Sequence, residues 1–131
     1  MIIKIFVSMS FKGKTEEDIN RYLEFAEDYY RTNCCECLLS EYDDVLVWCN
    51  YWYETEPMDD ERINVKLDQY AHALSTMSTC HDFILFTNED GSMPFGCNLE
   101  LQAWNNSGTK EQAHNAIILN SSIVEKRRQN E

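Results

Sequence analysis

Three short apolar runs, separated by longer polar stretches, most constrain how this 131-residue chain can fold. The runs are IIKIFVS at 2–8, DFILFT at 82–87 and AIILN at 116–120. They are too short for core helices and are dominated by branched and aromatic side chains, which is typical of strands buried on both faces of a sheet. We therefore predict a strand at each of these positions.

Amphipathic helices are predicted between the strands. Residues 16–31 carry apolar side chains at the 3.6-residue spacing of a helix with one buried face. Thr15, followed three positions later by Asp18, resembles a capping box at the start of that helix. Further helices are predicted over 62–79 and 97–106.

The middle of the chain is less regular. A strand is predicted within 35–40, whereas VLVWCNYWY at 45–53 fits either a strand or part of an aromatic-rich lid. Its side chains Trp48, Trp52 and Tyr53 are suited either to stack on a planar ligand or to pack in a core or subunit contact.

The alternation of strands and helices predicts one α/β domain over 1–131. We expect a mostly parallel sheet of about four to five strands, covered by helices on both faces. Ligands bind such sheets at the carboxyl ends of the strands, near the point where the strand order reverses. The loops 8–14 and 88–97 follow two predicted strands, so they define the predicted site.

Charge and hydropathy exclude several classes of partner. With 23 acidic and 11 basic residues the net charge is −12, whereas binding to a nucleic-acid polymer needs a basic surface. The basic residues of EKRRQNE at 125–131 are flanked by acids, which predicts a solvated tail. There is no apolar run of about 18 residues and no secretory signal, so we predict no membrane contact and a cytoplasmic location.

Six cysteines invite a disulfide or metal interpretation. The CCEC cluster at 34–37 lacks the paired spacing of a zinc site, and no histidine follows at zinc-finger spacing. Disulfides are not expected without a secretory signal. We predict reduced, mostly buried thiols, no metal and no cofactor.

Glu100 is the one carboxylate in the otherwise uncharged stretch FGCNLELQAW at 95–104. Two interpretations are open. Charged residues are mostly exposed, so Glu100 fits the wet face of a short helix. It also follows the loop 88–97 directly, in the predicted first turn of its helix, where the helix dipole would favour an ionised nucleophile.

Two segments resemble the signatures of the nucleoside 2-deoxyribosyltransferase family, particularly its small phage and bacterial members. KIFVSMSFKGKTEEDI at 4–19 is similar to the family's first strand, Ser-x-Pro-Met-like turn and Gly-Lys-Thr before a helix. The second segment, at 77–108, is similar to a strand and loop followed by Gly-Cys-x-x-Glu. The resemblance implies a Rossmann-like or flavodoxin-like three-layer sandwich. It also implies cleavage of an N-glycosidic bond by a glutamate nucleophile, the position that Glu100 matches.

Two features depart from the family pattern. The turn SMSF at 8–11 lacks the favoured proline. The helix segment HALSTMS at 72–78 has no acid where active relatives carry an aspartate that handles the base, although His72 lies in that neighbourhood.

The first loop would hold the sugar or a 5′-phosphate. Ser8 and Ser10 offer hydroxyls, and Gly13 permits a close backbone approach to an anion at the helix start. Lys12 and Lys14 either add positive charge to this site or are plain surface lysines.

The remaining site residues follow from the resemblance and from the chemistry it implies. Met9 of the turn and Gly96 and Cys97 of Gly-Cys-x-x-Glu join the substrate-binding set. The departing base needs a proton donor, and the candidates are Asp90 in the second loop and Asp82. Asp82 begins a buried strand, so Asp90 is the predicted donor.

The predicted function is therefore a nucleoside or deoxynucleotide N-glycosyl-bond enzyme, either a deoxyribosyltransferase or an N-hydrolase. A non-catalytic protein that binds or sequesters a nucleotide is the alternative, and an interaction protein with an aromatic docking segment is a third. The segment 45–58 is more apolar than a connection needs, and members of the resembled group are oligomers. We accordingly expect at least a homodimer.

Overall fold

Strands and helices alternate along the chain, as the apolar runs predicted. The computed structural model describes residues 2–33, 44–51, 65–106 and 116–129. The elements within these residues, in chain order, are β1 (Ile2–Ser8), α1 (Glu16–Asn33), β2 (Asp44–Trp48), α2 (Val65–Met77), β3 (Asp82–Thr87), α3 (Phe95–Asn106), β4 (Ile117–Asn120) and α4 (Ser122–Gln129). The predicted α/β class is confirmed.

The described strands form one parallel sheet in the order β2-β1-β3-β4. Strand β1 is central and pairs with both β2 and β3, in a register that sets Ser8 beside Leu85. From the central strand β1, the chain adds β2 on one side of the sheet and then β3 and β4 on the other. The reversal lies between β1 and β3, which is the ligand-binding position of Rossmann-like folds.

Helices cover both faces of this sheet, which makes three layers. One core holds Ile5 and Val7 of β1 against Ile19 of α1 and Val124 of α4. The core on the opposite face holds Phe6 of β1 against residues of α2 and α3. All of β3 is buried, as expected of a strand covered on both faces.

The start of α1 has the predicted capping box. The backbone N–H of Asp18 donates to the Thr15 hydroxyl at 3.2 Å, and the N–H of Thr15 donates to the Asp18 carboxylate at 2.9 Å. These two bonds satisfy backbone donors that the first helical turn would otherwise leave unpaired.

The structure decides between alternatives in the middle of the chain. Residues 44–48 are strand β2, so the strand interpretation of the aromatic-rich segment is confirmed there. The strand predicted within 35–40 lies outside the described residues, as does the predicted start of the second helix at 62–64. None of the helices in the described parts of the chain is long and apolar enough to cross a membrane.

The structure differs from two predictions, one on the start of α3 and one on the state of residues 125–131. Helix α3 begins at Phe95, because hydrogen bonding starts at the Pro94 carbonyl, which accepts from the Asn98 N–H at 2.9 Å. Glu100 therefore lies in the second turn, where the helix dipole has less effect than in the first. Residues 125–129 of the predicted solvated tail belong to helix α4, because the preceding Val124 is buried in the core that α1 covers, whereas Lys126 and Arg127 are exposed as predicted.

Candidate functional site

Glu100 lies where β1 and β3 end. Ser8, the buried last residue of β1, donates a hydrogen bond from its Oγ to Oε1 of Glu100 at 2.7 Å. Glu100 thus lies within hydrogen-bonding distance of the end of β1, beside the first of the two loops that define the predicted site. The carboxylate is thus held at the point where the strand order reverses.

A cleft of about 240 Å³ opens beside this pair. It is slightly smaller than the ~300–1,000 Å³ of typical small-molecule sites. Its walls come from the first loop and from the start of α3. The lining residues are Met9, Ser10, Phe11, Pro94, Phe95, Gly96, Cys97 and Glu100.

The structure brings together most of the predicted site residues at this cleft. Met9, Ser10, Gly96, Cys97 and Glu100 line it. Ser8 lies directly behind through its bond to Glu100.

Other predicted residues lie apart from the lining. Lys12 and Gly13 are exposed in the first loop and do not line the cleft. Gly13 has φ +76°, a left-handed conformation that favours glycine, and the turn around it is closed by the Lys14 N–H, which donates to the Phe11 carbonyl at 3.0 Å. The turn therefore favours a glycine at this position.

Asp90 also lies away from the lining, in an exposed turn. Its Oδ1 accepts hydrogen bonds from the Ser92 hydroxyl at 2.6 Å and from the Ser92 backbone N–H at 2.9 Å. These bonds lower the pKa of the Asp90 carboxyl. An ionised carboxylate is a poor proton donor, so the structure disfavours the donor role predicted for Asp90.

The start of α3 forms the apolar wall of the cleft. Phe95 leaves 80% of its surface exposed, whereas Cys97 is buried. The Tyr70 hydroxyl donates to the carbonyl of Leu99 at 3.3 Å, which ties α2 to α3 one residue before Glu100. The helix that carries the carboxylate is therefore held by a neighbouring helix as well as by the sheet.

The aromatic side chains of β2 pack rather than line the cleft. The ring of Trp48 lies 5.6 Å from that of Phe6 and 5.5 Å from that of His72, measured between centroids. Nδ1 of His72 is 2.9 Å from Oδ1 of the buried Asn50. Trp48 and His72 thus belong to the packing between β2 and α2, and Trp52 and Tyr53 lie outside the described residues.

The cysteines of the described residues are buried thiols outside any disulfide, namely Cys49, Cys80 and Cys97. Burial raises the pKa of the Cys80 thiol to about 11. No group of three or more metal-ligating side chains occurs within the described residues. The cluster at 34–37 lies outside them.

Three lining residues were missed by the sequence analysis, namely Phe11, Pro94 and Phe95. A proline immediately before an apolar run is a sequence signal for a helix start, and it would have placed the helix end at the cleft. Phe11 carries no such signal, because its place in the wall depends on how the loop folds.

Fold and site together define a class: a parallel, three-layer Rossmann-like α/β protein with a small cleft at the strand reversal and one carboxylate in the described lining. Comparison of the chain with protein-family models, curated proteins and solved structures found no match.

Proposed function

We propose that the chain is a nucleoside or nucleotide N-glycosyl-bond enzyme, a deoxyribosyltransferase or an N-hydrolase, in which Glu100 is the nucleophile. The observation that carries the proposal is the 2.7 Å hydrogen bond from Ser8 to Glu100 at the mouth of the cleft. It holds a carboxylate at the position where parallel sheets bind ligands, which reduces the entropic cost of aligning it for attack.

The chemistry needs one carboxylate and a way to protonate the base. Oxygen of Glu100 would bond to the anomeric carbon as the bond from that carbon to the base nitrogen breaks, and the base would leave with the electron pair and take up a proton. A second base or a water would then displace the carboxylate from the sugar. The described lining supplies the nucleophile, and the open cleft gives solvent access for the proton.

The charges around the cleft favour an uncharged nucleoside over its 5′-monophosphate. Among the described lining residues there is no cation, and the ammonium of Lys14 is engaged by the Ser10 carbonyl at 2.6 Å. Each negative charge of a phosphate held at roughly 5.5 Å from the carboxylate would meet a repulsion of about 3 kcal/mol at an effective dielectric constant near 20.

A non-catalytic nucleotide-binding protein is the second candidate. It is favoured by a specific observation: the described lining contains Glu100 and no second acid that could protonate the base. A binding protein needs the cleft but not a proton donor.

The proposal is tested with a panel of deoxynucleosides and their monophosphates, with release of free base followed by chromatography. Glu100→Gln keeps the shape of the side chain but removes the attacking charge, so base release should fall by at least about 10³-fold. The melting temperature should be unchanged or slightly higher, because a charge held in a cleft often costs folding free energy. Glu24→Gln, on the exposed face of α1, is the matched control and should behave as wild type.

The outcomes separate the two candidates. Equal turnover by wild type and Glu100→Gln would reject the nucleophile. No base release from wild type, with a melting temperature raised by a nucleoside or nucleotide, would favour the binding protein, since a ligand that prefers the folded state must stabilise it.

A cytoplasmic location belongs to the same proposal. It is supported by the buried thiols of Cys49, Cys80 and Cys97, which form no disulfide within the described residues, because thiols stay reduced in the cytoplasm.

A further inference from the structure

Lys14 lies behind the first-loop wall of the cleft without lining it. Its Nζ donates to the carbonyl oxygen of Ser10 at 2.6 Å, and Ser10 is a lining residue. The same loop is closed by the Lys14 backbone N–H, which donates to the carbonyl of Phe11 at 3.0 Å. Lys14 thus holds two of the three first-loop residues that line the cleft, Ser10 and Phe11, by donating to their backbone carbonyls.

Lys14 in turn contacts Tyr22 of α1, which is hydrogen-bonded to α4. Its ammonium lies 5.1 Å from the centroid of the Tyr22 ring, a distance suited to a cation–π contact. The Tyr22 hydroxyl donates to Oε1 of Glu125 in α4 at 3.0 Å. A chain of contacts therefore runs from the C-terminal helix through Tyr22 and Lys14 to the wall of the cleft.

The negative charges around Lys14 favour an ammonium group that is held in one position. Burial lowers its pKa, whereas the negative charges of Glu125, Asp18 and Glu89 and the nearby Cys97 act in the opposite direction. A half-buried ammonium with acids on several sides is less free to reorient than an exposed lysine such as Lys12.

We propose that Lys14 is a positioning residue for the cleft: its ammonium fixes the wall formed by Met9, Ser10 and Phe11 across from Glu100. It acts through the Ser10 carbonyl and touches no substrate. Its effect on base release rests on the proposed function, whereas its effect on the loop does not.

Removal of the ammonium should loosen the wall. Without it the Ser10 carbonyl loses a charge-assisted hydrogen bond, the stronger class of such bonds. A loose wall weakens substrate binding but leaves Glu100 in place, because Glu100 is held by Ser8 and by its helix. The expected signature is a KM effect rather than a kcat effect.

The test compares Lys14→Met with Lys12→Met, an exposed lysine of the same loop. Hydrogen exchange of the free protein, read by mass spectrometry, follows peptides over 8–14 and, as a check of the global fold, over 82–87. For Lys14→Met we expect exchange over 8–14 to be at least about tenfold faster than for Lys12→Met, with 82–87 unchanged. Lys14→Gln, a milder change that keeps a shorter donor, should give an intermediate rate and serves if the methionine variant does not fold.

Activity gives the second readout. With a deoxynucleoside substrate, Lys14→Met should raise KM about tenfold with kcat within about threefold of wild type. Exchange over 8–14 equal to that of Lys12→Met in both Lys14 variants would overturn the proposal, as would a selective loss of kcat. If wild type releases no base, the exchange experiment still decides the role of Lys14. Failure of the Lys14 proposal and failure of the proposed function can therefore be told apart.

Discussion

The hydroxyl of Ser8 donates to the carboxylate of Glu100 at 2.7 Å, although the two residues are 92 positions apart in the chain. Ser8 ends β1 and is buried, and Glu100 lies in the second turn of α3. Because both elements meet at the strand reversal, this bond couples the two walls of the cleft.

Ser8→Ala should therefore lower both activity and stability. The substitution removes the donor that orients the carboxylate, and we expect base release to fall about 10- to 100-fold. The free energy of unfolding should fall by about 1 kcal/mol, at the low end for a bond to a charged group because Glu100 is half-exposed. Urea unfolding and initial rates check this, with Ser75→Ala on exposed α2 surface as the control. Unchanged kinetics would show that the bond has no part in the site.

A deoxynucleoside should be a better substrate than its 5′-monophosphate. The described lining contains a carboxylate and no cation, so kcat/KM should be at least tenfold higher for the nucleoside with the same base. The difference should narrow as salt is added, because salt screens exposed charges. Steady-state rates on the two substrates measure it, and a preference for the monophosphate would contradict this account of the cleft.

Cys80 should make the protein lose stability at alkaline pH. Burial raises the pKa of its thiol from 9.0 to about 11, so between these values the folded state keeps a proton that the unfolded state releases. The Cys80 contribution to stability is thus fully present below pH 9.0 and is lost as the pH rises towards 11. Unfolding midpoints at several pH values should fall less steeply in Cys80→Ala than in wild type. Parallel pH profiles would refute the effect.

Tyr22→Phe should weaken the contact between α1 and α4. The ring remains for packing against Phe86, 5.0 Å away between centroids, whereas the hydroxyl and its hydrogen bond to Glu125 are lost. Burial and this bond raise the pKa of Tyr22, so the hydroxyl stays a donor at neutral pH. We expect a loss of about 1 kcal/mol in the free energy of unfolding. Tyr29→Phe on the same helix is the control, and equal losses in both variants would argue against a specific bond.

The protein should form at least a homodimer. Strand β2 is at an edge of the described sheet, where backbone groups without a neighbouring strand can pair with another chain, and Leu46 on it is 51% exposed. Light scattering at micromolar concentration should give at least twice the mass of one chain, and Leu46→Lys should reduce it. A monomer mass for wild type would refute this prediction.

Most of the fold was predictable because buried segments need apolar side chains in runs or at regular spacing, and this pattern is visible in the sequence. The bounds of β1 and β3 agree with the apolar runs that predicted them, and the capping box marked where α1 begins. No such pattern in the sequence predicted helix α4. Its charged residues resemble a tail, and its helical state depends on Val124 packing into the core that α1 covers.

The candidate site, like the fold, was predictable from the sequence only in part. The sequence by itself determined that Glu100 follows a buried strand and a loop, because that spacing is local. Only the tertiary structure decided that Ser8 pairs with Glu100, that Phe11 and Phe95 face one cleft, and that the Lys14 ammonium donates to the Ser10 carbonyl. Periodicity reports whether a segment is buried, whereas these contacts depend on which strands are neighbours, and strand order is set by packing across the whole sheet.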